Sequence, residues 1–253
     1  MAPLTGRVAL VTGGGRGIGR TIAFALAEAG AGVVVTGRSL AALQETQTAL
    51  QESGGSALAL VCDVADKDAV RAAFGEIREK VGTVDILVNN AGITFSRKLH
   101  DTPDEVWEQI MQTNVNGTFY CCKAAVPAMI EKGWGRIITI ASIAALSGMA
   151  FSSAYSASKH AQLGLARSLA AEVRRYNIAV NVICPGWVQT DMFEEAIGNL
   201  VKLTGRTPEQ ARADLLKLSG QTRAVTAEEV AGEVLRLASL QDPDVTGQVF
   251  PLL

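Results

Sequence analysis

Histidine is scarce in this chain: only His100 and His160 occur among 253 residues. The four cysteines, Cys62, Cys121, Cys122 and Cys184, have no metal-ligand spacing and little histidine to help them. A metal centre is therefore not expected, and the thiols read as small buried hydrophobes. An excess of positive charge is also missing, with 23 Lys plus Arg against 25 Asp plus Glu. Nothing in that balance suits a polyanion, so no nucleic-acid partner is expected. The most apolar stretch, Ile137 to Leu146, is about half the length of a membrane helix. The opening MAPLTGRVALVTGG lacks the basic segment, apolar core and cleavage site of a secretory leader. A soluble cytoplasmic protein without a membrane partner is the expectation. Only seven prolines stand against 25 glycines with no three-residue period, which excludes collagen and promises tight turns. With 48% apolar residues and a mean hydropathy of +0.22, disorder is excluded as well.

What is present is a repeating alternation. Short apolar runs occur at 8–12, 33–36, 57–62, 86–90, 137–142, 179–184 and near 249. They are continuously apolar rather than alternating, as strands covered on both faces of a parallel sheet must be. Between them apolar residues recur every three or four positions, as at Ile18, Ile22, Ala25, Leu26 and Ala29. The pattern predicts an α/β, Rossmann-type, doubly wound and mainly parallel seven-stranded sheet with helices on both faces. No linker or repeat divides the chain, so 1–253 reads as a single domain. Thr102, Thr207 and Thr226, each with an acid or amide three residues on, read as helix caps, with prolines opening the first two helices. The Thr207 cap puts ordered helix inside a substrate-side insertion at about 191–221.

Directly after the first run stands Thr12-Gly13-Gly14-Gly15-Arg16-Gly17-Ile18-Gly19. Glycines let the chain turn sharply and let a pyrophosphate approach the amides at a helix N-terminus. A strand before, a helix after and a second strand ending near 36 supply the context that this reading demands. Ser142 ends the fifth run, and Tyr155 and Lys159 follow at i and i+4 on one helix face. A phenol titrates near pH 10, so working near pH 7 needs a shift of about 3 units, or roughly 4 kcal/mol. One cation at about 4 Å in a partly buried site supplies on the order of 4 kcal/mol before desolvation is counted.

The TGxxxGxG spacing, Asn89-Asn90-Ala91-Gly92, the Ser142–Tyr155–Lys159 set and Pro185-Gly186 resemble the short-chain dehydrogenase/reductase family in its form of about 250 residues. The resemblance implies a nicotinamide dinucleotide on Gly13, Gly15, Arg16, Gly17, Ile18, Gly19, Arg38, Ser39, Asp63, Val64, Asn90, Ala91, Gly92, Tyr155, Lys159, Pro185, Gly186, Val188 and Thr190. It implies Tyr155 as general acid and base, Lys159 as its tuner, Ser142 as donor to the developing alkoxide, and Asn114 as a helix-bending residue holding a water near the lysine. It departs at the carboxyl end, where Phe250-Pro251-Leu252-Leu253 stands in place of the usual Asp-Gly-Gly, a difference that bears on subunit packing.

NADP is preferred to NAD on charge. The second strand ends Val35-Thr36-Gly37-Arg38-Ser39 without the acid that would hold a free ribose 2′-hydroxyl, and Arg38 and Arg16 suit a phosphate. The substrate region, 143–153 and 186–221, is rich in small and apolar residues: Ala144, Ala145, Leu146, Met149, Phe151, Trp187, Met192 and Phe193. Trp187 is the substrate-contacting candidate beside Ser142 and Tyr155. Such walls suit an apolar or acyl carbonyl compound, and the chain is similar to 3-oxoacyl thioester reductases. Alternatives are an NAD-dependent alcohol or hydroxyacyl dehydrogenase and a catalytically silent dinucleotide-binding regulator. The resemblance further implies a homodimer or homotetramer built on long helices near 104–131 and 154–175. His160 reads as a packing residue, and Trp107 as a core or subunit-interface residue.

Overall fold

The computed structural model describes residues 2–242 and 244–253. Seven strands form one parallel sheet: β1 (Val8–Thr12), β2 (Gly32–Gly37), β3 (Ala57–Val61), β4 (Ile86–Asn89), β5 (Gly135–Ile140), β6 (Ile178–Pro185) and β7 (Val249–Leu252). Their spatial order is β3-β2-β1-β4-β5-β6-β7. The order reverses between β1 and β4, so the crevice beyond their carboxyl ends is where a ligand enters such a sheet. In register, Val11 faces Val35 on one side and Val88 on the other.

Nine helices accompany the strands among the described residues: α1 (Gly17–Glu28), α2 (Leu40–Glu52), α3 (Lys67–Lys80), α4 (Asp104–Ile110), α5 (Gly117–Lys132), α6 (Ser153–Val173), α7 (Asp191–Thr204), α8 (Pro208–Leu218) and α9 (Ala227–Ala238). One core joins α1, α2 and α9 to one sheet face through residues such as Ile22, Leu26, Leu50 and Val234. The other joins α3, α5 and α6 to the opposite face through Ile77, Met129 and Ala166. Continuous burial of β6 along its whole length explains why that run carries no polar alternation. A third, small cluster around Phe193, Ile197 and Ala211 belongs to α7 and α8 alone. No helix among the described residues is long and apolar enough to cross a membrane.

Thr207 and Thr226 each close a capping box, with Gln210 and Glu229 bonding back. Thr102 does not cap. Its hydroxyl donates instead to the Lys98 carbonyl at 3.0 Å, and Pro103 occupies the cap position rather than the first helical one. The short 3-10 turn Leu99–Asp101, which starts after Lys98, brings that carbonyl within reach of the hydroxyl. The expected continuous helix near 104–131 is also interrupted, by a π-helical segment from Met111 to Asn116 between α4 and α5.

Candidate active site

The glycine turn is shaped by what its neighbours leave no room for. A Cβ at Gly14 would lie 2.7 Å from Val35 Cγ1, and one at Gly19 would lie 2.3 Å from the Gly13 carbonyl oxygen. Those two glycines seat the turn against β2 and let α1 approach the strand, so Gly19 acts through packing rather than as an exposed contact. Gly13 and Gly17 have φ of 66° and 51°, the left-handed region that a side chain resists. Gly14 donates to the Thr36 carbonyl at 3.1 Å, holding the turn to the end of β2. Thr12 and Asn90 lock the other side. Thr12 Oγ1 accepts from the backbone amides of Asn90 and Ala91 at 3.0 Å each, and Asn90 Nδ2 donates to the Thr12 carbonyl at 2.9 Å. β4 therefore ends at Asn89, one residue short of the expected run.

At the first turn of α1 no side chain caps the amides and no acid is present. Arg16 and Arg38 are exposed, and neither meets a carboxylate among the described residues. Ser39, which caps α2 through Ala42, stands beside the turn: a Cβ at Gly15 would lie 3.2 Å from Ala42 Cβ. Free amides, paired cations and missing side chains together fit a dinucleotide's phosphates. Asp63 spends one carboxylate oxygen on the Ala65 amide at 3.0 Å. Val64 is buried against Gly117, where a Cβ would lie 2.8 Å from its Cγ2, so it contributes packing rather than an open contact.

Beyond β5, Ser142, Tyr155 and Lys159 converge. The Ser142 hydroxyl accepts from the Ala144 amide at 3.1 Å and lies close enough to the Tyr155 hydroxyl to favour its phenolate. The Lys159 ammonium lies 5.5 Å from the centre of the Tyr155 ring and donates to the Ile140 carbonyl at 3.1 Å. Burial pushes the phenol up to about 12, with the Ser142 hydroxyl pulling the other way. Burial likewise pulls the Lys159 ammonium down to about 8. The expected lowering of the phenol by the ammonium is thus reversed in the free protein. Desolvation opposes the charged form of both groups, and the ammonium meets the ring face and a carbonyl instead of the phenolic oxygen.

Asn114 sits at the π-helical segment, fully buried, and its amide closes a two-way bond with Ile93, accepting at 2.8 Å and donating at 2.9 Å. It also donates to Ser158 at 3.0 Å, which ties the segment to α6. Gly92 opens the space between these groups: a Cβ there would lie 3.2 Å from Asn114 Oδ1 and 3.7 Å from Lys159 Nζ. The irregular helix is the means by which Asn114 reaches Ile93.

The family model for short chain dehydrogenases matches residues 7–199. The chain belongs to that family. D-beta-hydroxybutyrate dehydrogenase of Rhizobium meliloti (strain 1021) is 38% identical over 247 residues, covering 95% of each chain. The 3-oxoacyl-[acyl-carrier-protein] reductase FabG of Escherichia coli (strain K12) is 38% identical over 245 residues, 97% of this chain and 95% of that protein. Among solved structures, a tryptophan variant of actinorhodin polyketide ketoreductase with NADPH is 35% identical, with a TM-score of 0.92 over 97% of this chain and 95% of its own. This short-chain dehydrogenase is accordingly an NAD(P)-dependent oxidoreductase.

Of the residues expected to wall the substrate, three are buried. Ala144 and Ala145 are the buried residues of the 3-10 turn Ile143–Ala145 after Ser142, and Phe193 is 1% exposed in the small cluster of α7 and α8. Trp187 belongs to that cluster too: it stacks on Phe193 with ring centres 5.1 Å apart, and its indole Nε1 donates to the Leu215 carbonyl at 3.1 Å. In this short-chain dehydrogenase the indole nitrogen joins the loop after β6 to α8, and the Trp187 side chain stays half-buried. Leu146, Phe151 and Met192 remain exposed. Phe151 holds a left-handed φ of 65°, and its carbonyl accepts from the Arg97 amide at 2.7 Å, binding the loop after β4 to the loop before α6. His160 is exposed, its ring nitrogen meeting the Ser156 carbonyl at 2.9 Å, and Trp107 is 41% exposed; neither packs in the core.

Pro185 and Val188 are buried, and Thr190 is the N-terminal boundary of α7, with its Cγ2 3.8 Å from where a Gly17 Cβ would be. The loop after β6 therefore faces the glycine turn across the sheet end. Sequence reasoning passed over two buried polar residues. Gln162 donates to the Asn114 carbonyl and to Thr118 Oγ1, both at 2.8 Å, and Gln221 grips Trp187. The available signal was an amide amid apolar spacing on α6; Gln221 had none.

Proposed function

We propose that this chain interconverts a carbonyl and a secondary alcohol with NADP(H), Tyr155 serving as general acid in reduction and as general base in oxidation. The observation that carries the reading is the convergence of Ser142 and Lys159 on one half-buried phenol, beside a glycine turn whose amides and cations suit phosphate. When bound, the reduced nicotinamide supplies the hydride. Tyr155 is protonated at neutral pH because burial disfavours its phenolate, which is the state an acid for reduction needs. Ser142 gives the developing alkoxide a second preorganised donor. Lys159, between Gly92 and the ring of Tyr155, holds positive charge close to any phenolate that forms. Asn114 keeps the Gly92–Ile93 backbone in place beside them.

NADP rather than NAD is supported by Arg38 and Arg16, exposed without acidic partners next to the turn. An apolar substrate, of which a 3-oxoacyl thioester is the leading member, is supported by the exposed Leu146, Phe151 and Met192 and by the FabG relative. The reading includes a single catalytic domain with α7 and α8 as its substrate-side insertion, a cytoplasmic location, and a homo-oligomer. Phe119, 43% exposed on α5, supports assembly through that helix.

A panel of 3-oxoacyl thioesters and simple ketones, assayed with NADPH and NADH, tests the proposal together with Tyr155→Phe. Turnover with NADPH should fall by at least about a hundredfold in the variant while NADPH still binds. Turnover surviving the change removes Tyr155 from the chemistry; NADPH binding without turnover of any substrate favours the silent regulator.

A further inference from the structure

The chain leaves β6 through Gly186 and Trp187, runs through α7 and α8, and returns at Gln221. The Gln221 side chain, 6% exposed, joins the two ends of that excursion. Its Oε1 accepts from the Trp187 amide at 2.6 Å and from the Ser219 hydroxyl at 2.7 Å. Its Nε2 donates to the carbonyls of Trp187 and Arg223, both at 3.2 Å. The amide group thus pairs with both backbone groups of Trp187, as a neighbouring strand would. Val225 continues the pairing, donating to the Trp187 carbonyl at 2.9 Å and accepting from Gln189 at 2.9 Å. Gly186 leaves the space this requires, because a Cβ there would lie 2.3 Å from Gln221 Oε1.

A buried amide costs desolvation unless all its donors and acceptors are used, and here they are. It therefore favours one arrangement of the segments it touches, where an apolar filler would accept several. We propose that Gln221 is a positioning residue for substrate: it latches the α7–α8 arm to the Gly186–Trp187 loop and so sets where the arm's wall, with the exposed Met192, stands. The proposal rests on the reading of that arm as the substrate side.

The test compares Gln221→Ala, Gly186→Ala and the double variant in hydrogen–deuterium exchange, and Gln221→Ala in steady-state kinetics as well. In Gln221→Ala, loss of the latch should raise KM for the ketone about tenfold and leave kcat within about threefold, whereas Gly186→Ala and the double variant, altered at a residue expected to meet the dinucleotide, are compared by exchange alone. Amides of the arm should exchange faster than in the wild-type chain. Gly186→Ala should act by pushing the Gln221 side chain out. The double variant should then exchange no faster than the faster single variant, because the clash has lost its partner. KM and arm exchange unchanged in Gln221→Ala overturn the proposal, as do exchange effects that simply add in the double variant or kinetic effects of Gln221→Ala that fall on kcat alone. If the wild-type chain reduces no ketone with NADPH, the functional reading fails, while the exchange comparison still decides the latch.

Discussion

Lys159 donates its ammonium to the carbonyl of Ile140 at 3.1 Å, two residues before Ser142 on the same strand end. Lys159 is 3% exposed, and its ammonium is pulled down to about 8 by burial. The unfolded chain keeps that proton to about pH 10.5. Between pH 8 and 10.5 unfolding therefore takes up a proton, and stability rises with pH across that window. Below it the buried cation costs on the order of 3 kcal/mol. Lys159→Met, which keeps the length and drops the charge, should raise Tm by about 5 °C at pH 7 while abolishing turnover. Scanning calorimetry of both proteins should show the gap closing as the pH approaches 10.5. A variant less stable than wild type at pH 7 contradicts the account.

Ser142 opposes the burial that raises the Tyr155 phenol. Removing its hydroxyl should let the phenol climb further and leave the developing alkoxide one donor short. For Ser142→Ala we expect kcat for reduction to drop by about a hundredfold to a thousandfold. The loss should fall on kcat in steady-state reduction, with NADPH binding held within about threefold. A kcat within about threefold of the wild-type value would remove Ser142 from the chemistry.

The strands and the order of elements were legible because a sheet covered on both faces writes itself as uninterrupted apolar runs, as 33–35 in β2 and 86–88 in β4 do. The glycine turn and the Tyr155–Lys159 pair were legible because each places its chemistry within one short segment. What stayed hidden depends on contacts between distant segments. The spacing around Trp187 gave no sign that its indole bonds Leu215, nor that Gln221 fills the space beside Gly186. Thr102 misled because its hydroxyl is turned to donate to the Lys98 carbonyl at a 3-10 turn and Pro103 takes the cap position, so its oxygen accepts from no helix amide. How far burial outweighs the ammonium's charge at the phenol in the free protein was not legible, because the depth at which both groups sit is a property of the fold.

The four thiols are free and buried. Burial pushes Cys122 up to about 12, and burial with Asp63 and Asp66 pushes Cys62 up to about 11. Cys121 and Cys184 are raised as well, chiefly by burial. Thiolate is the reacting form, so all four should resist a disulfide reagent at pH 8. Fewer than one thiol per chain should react within minutes in the native protein, and all four once guanidinium unfolds it. Rapid reaction of one thiol in the folded chain would show that its segment opens readily.

Arg38 follows β2 at the position where an acid would repel a 2′-phosphate, and it is exposed without a carboxylate partner among the described residues. A charge-assisted hydrogen bond to phosphate contributes about 1.5–3 kcal/mol, or roughly tenfold to a hundredfold in affinity. Arg38→Ala should weaken NADPH by about that factor and leave NADH within about threefold, because NADH lacks the group that Arg38 meets. The difference should shrink at high salt, as expected of an exposed ion pair. Fluorescence titration of both cofactors against both proteins at low and high salt measures this. Equal losses for NADPH and NADH would place Arg38 on the shared part of the dinucleotide, and no loss for either would leave the preference to Arg16.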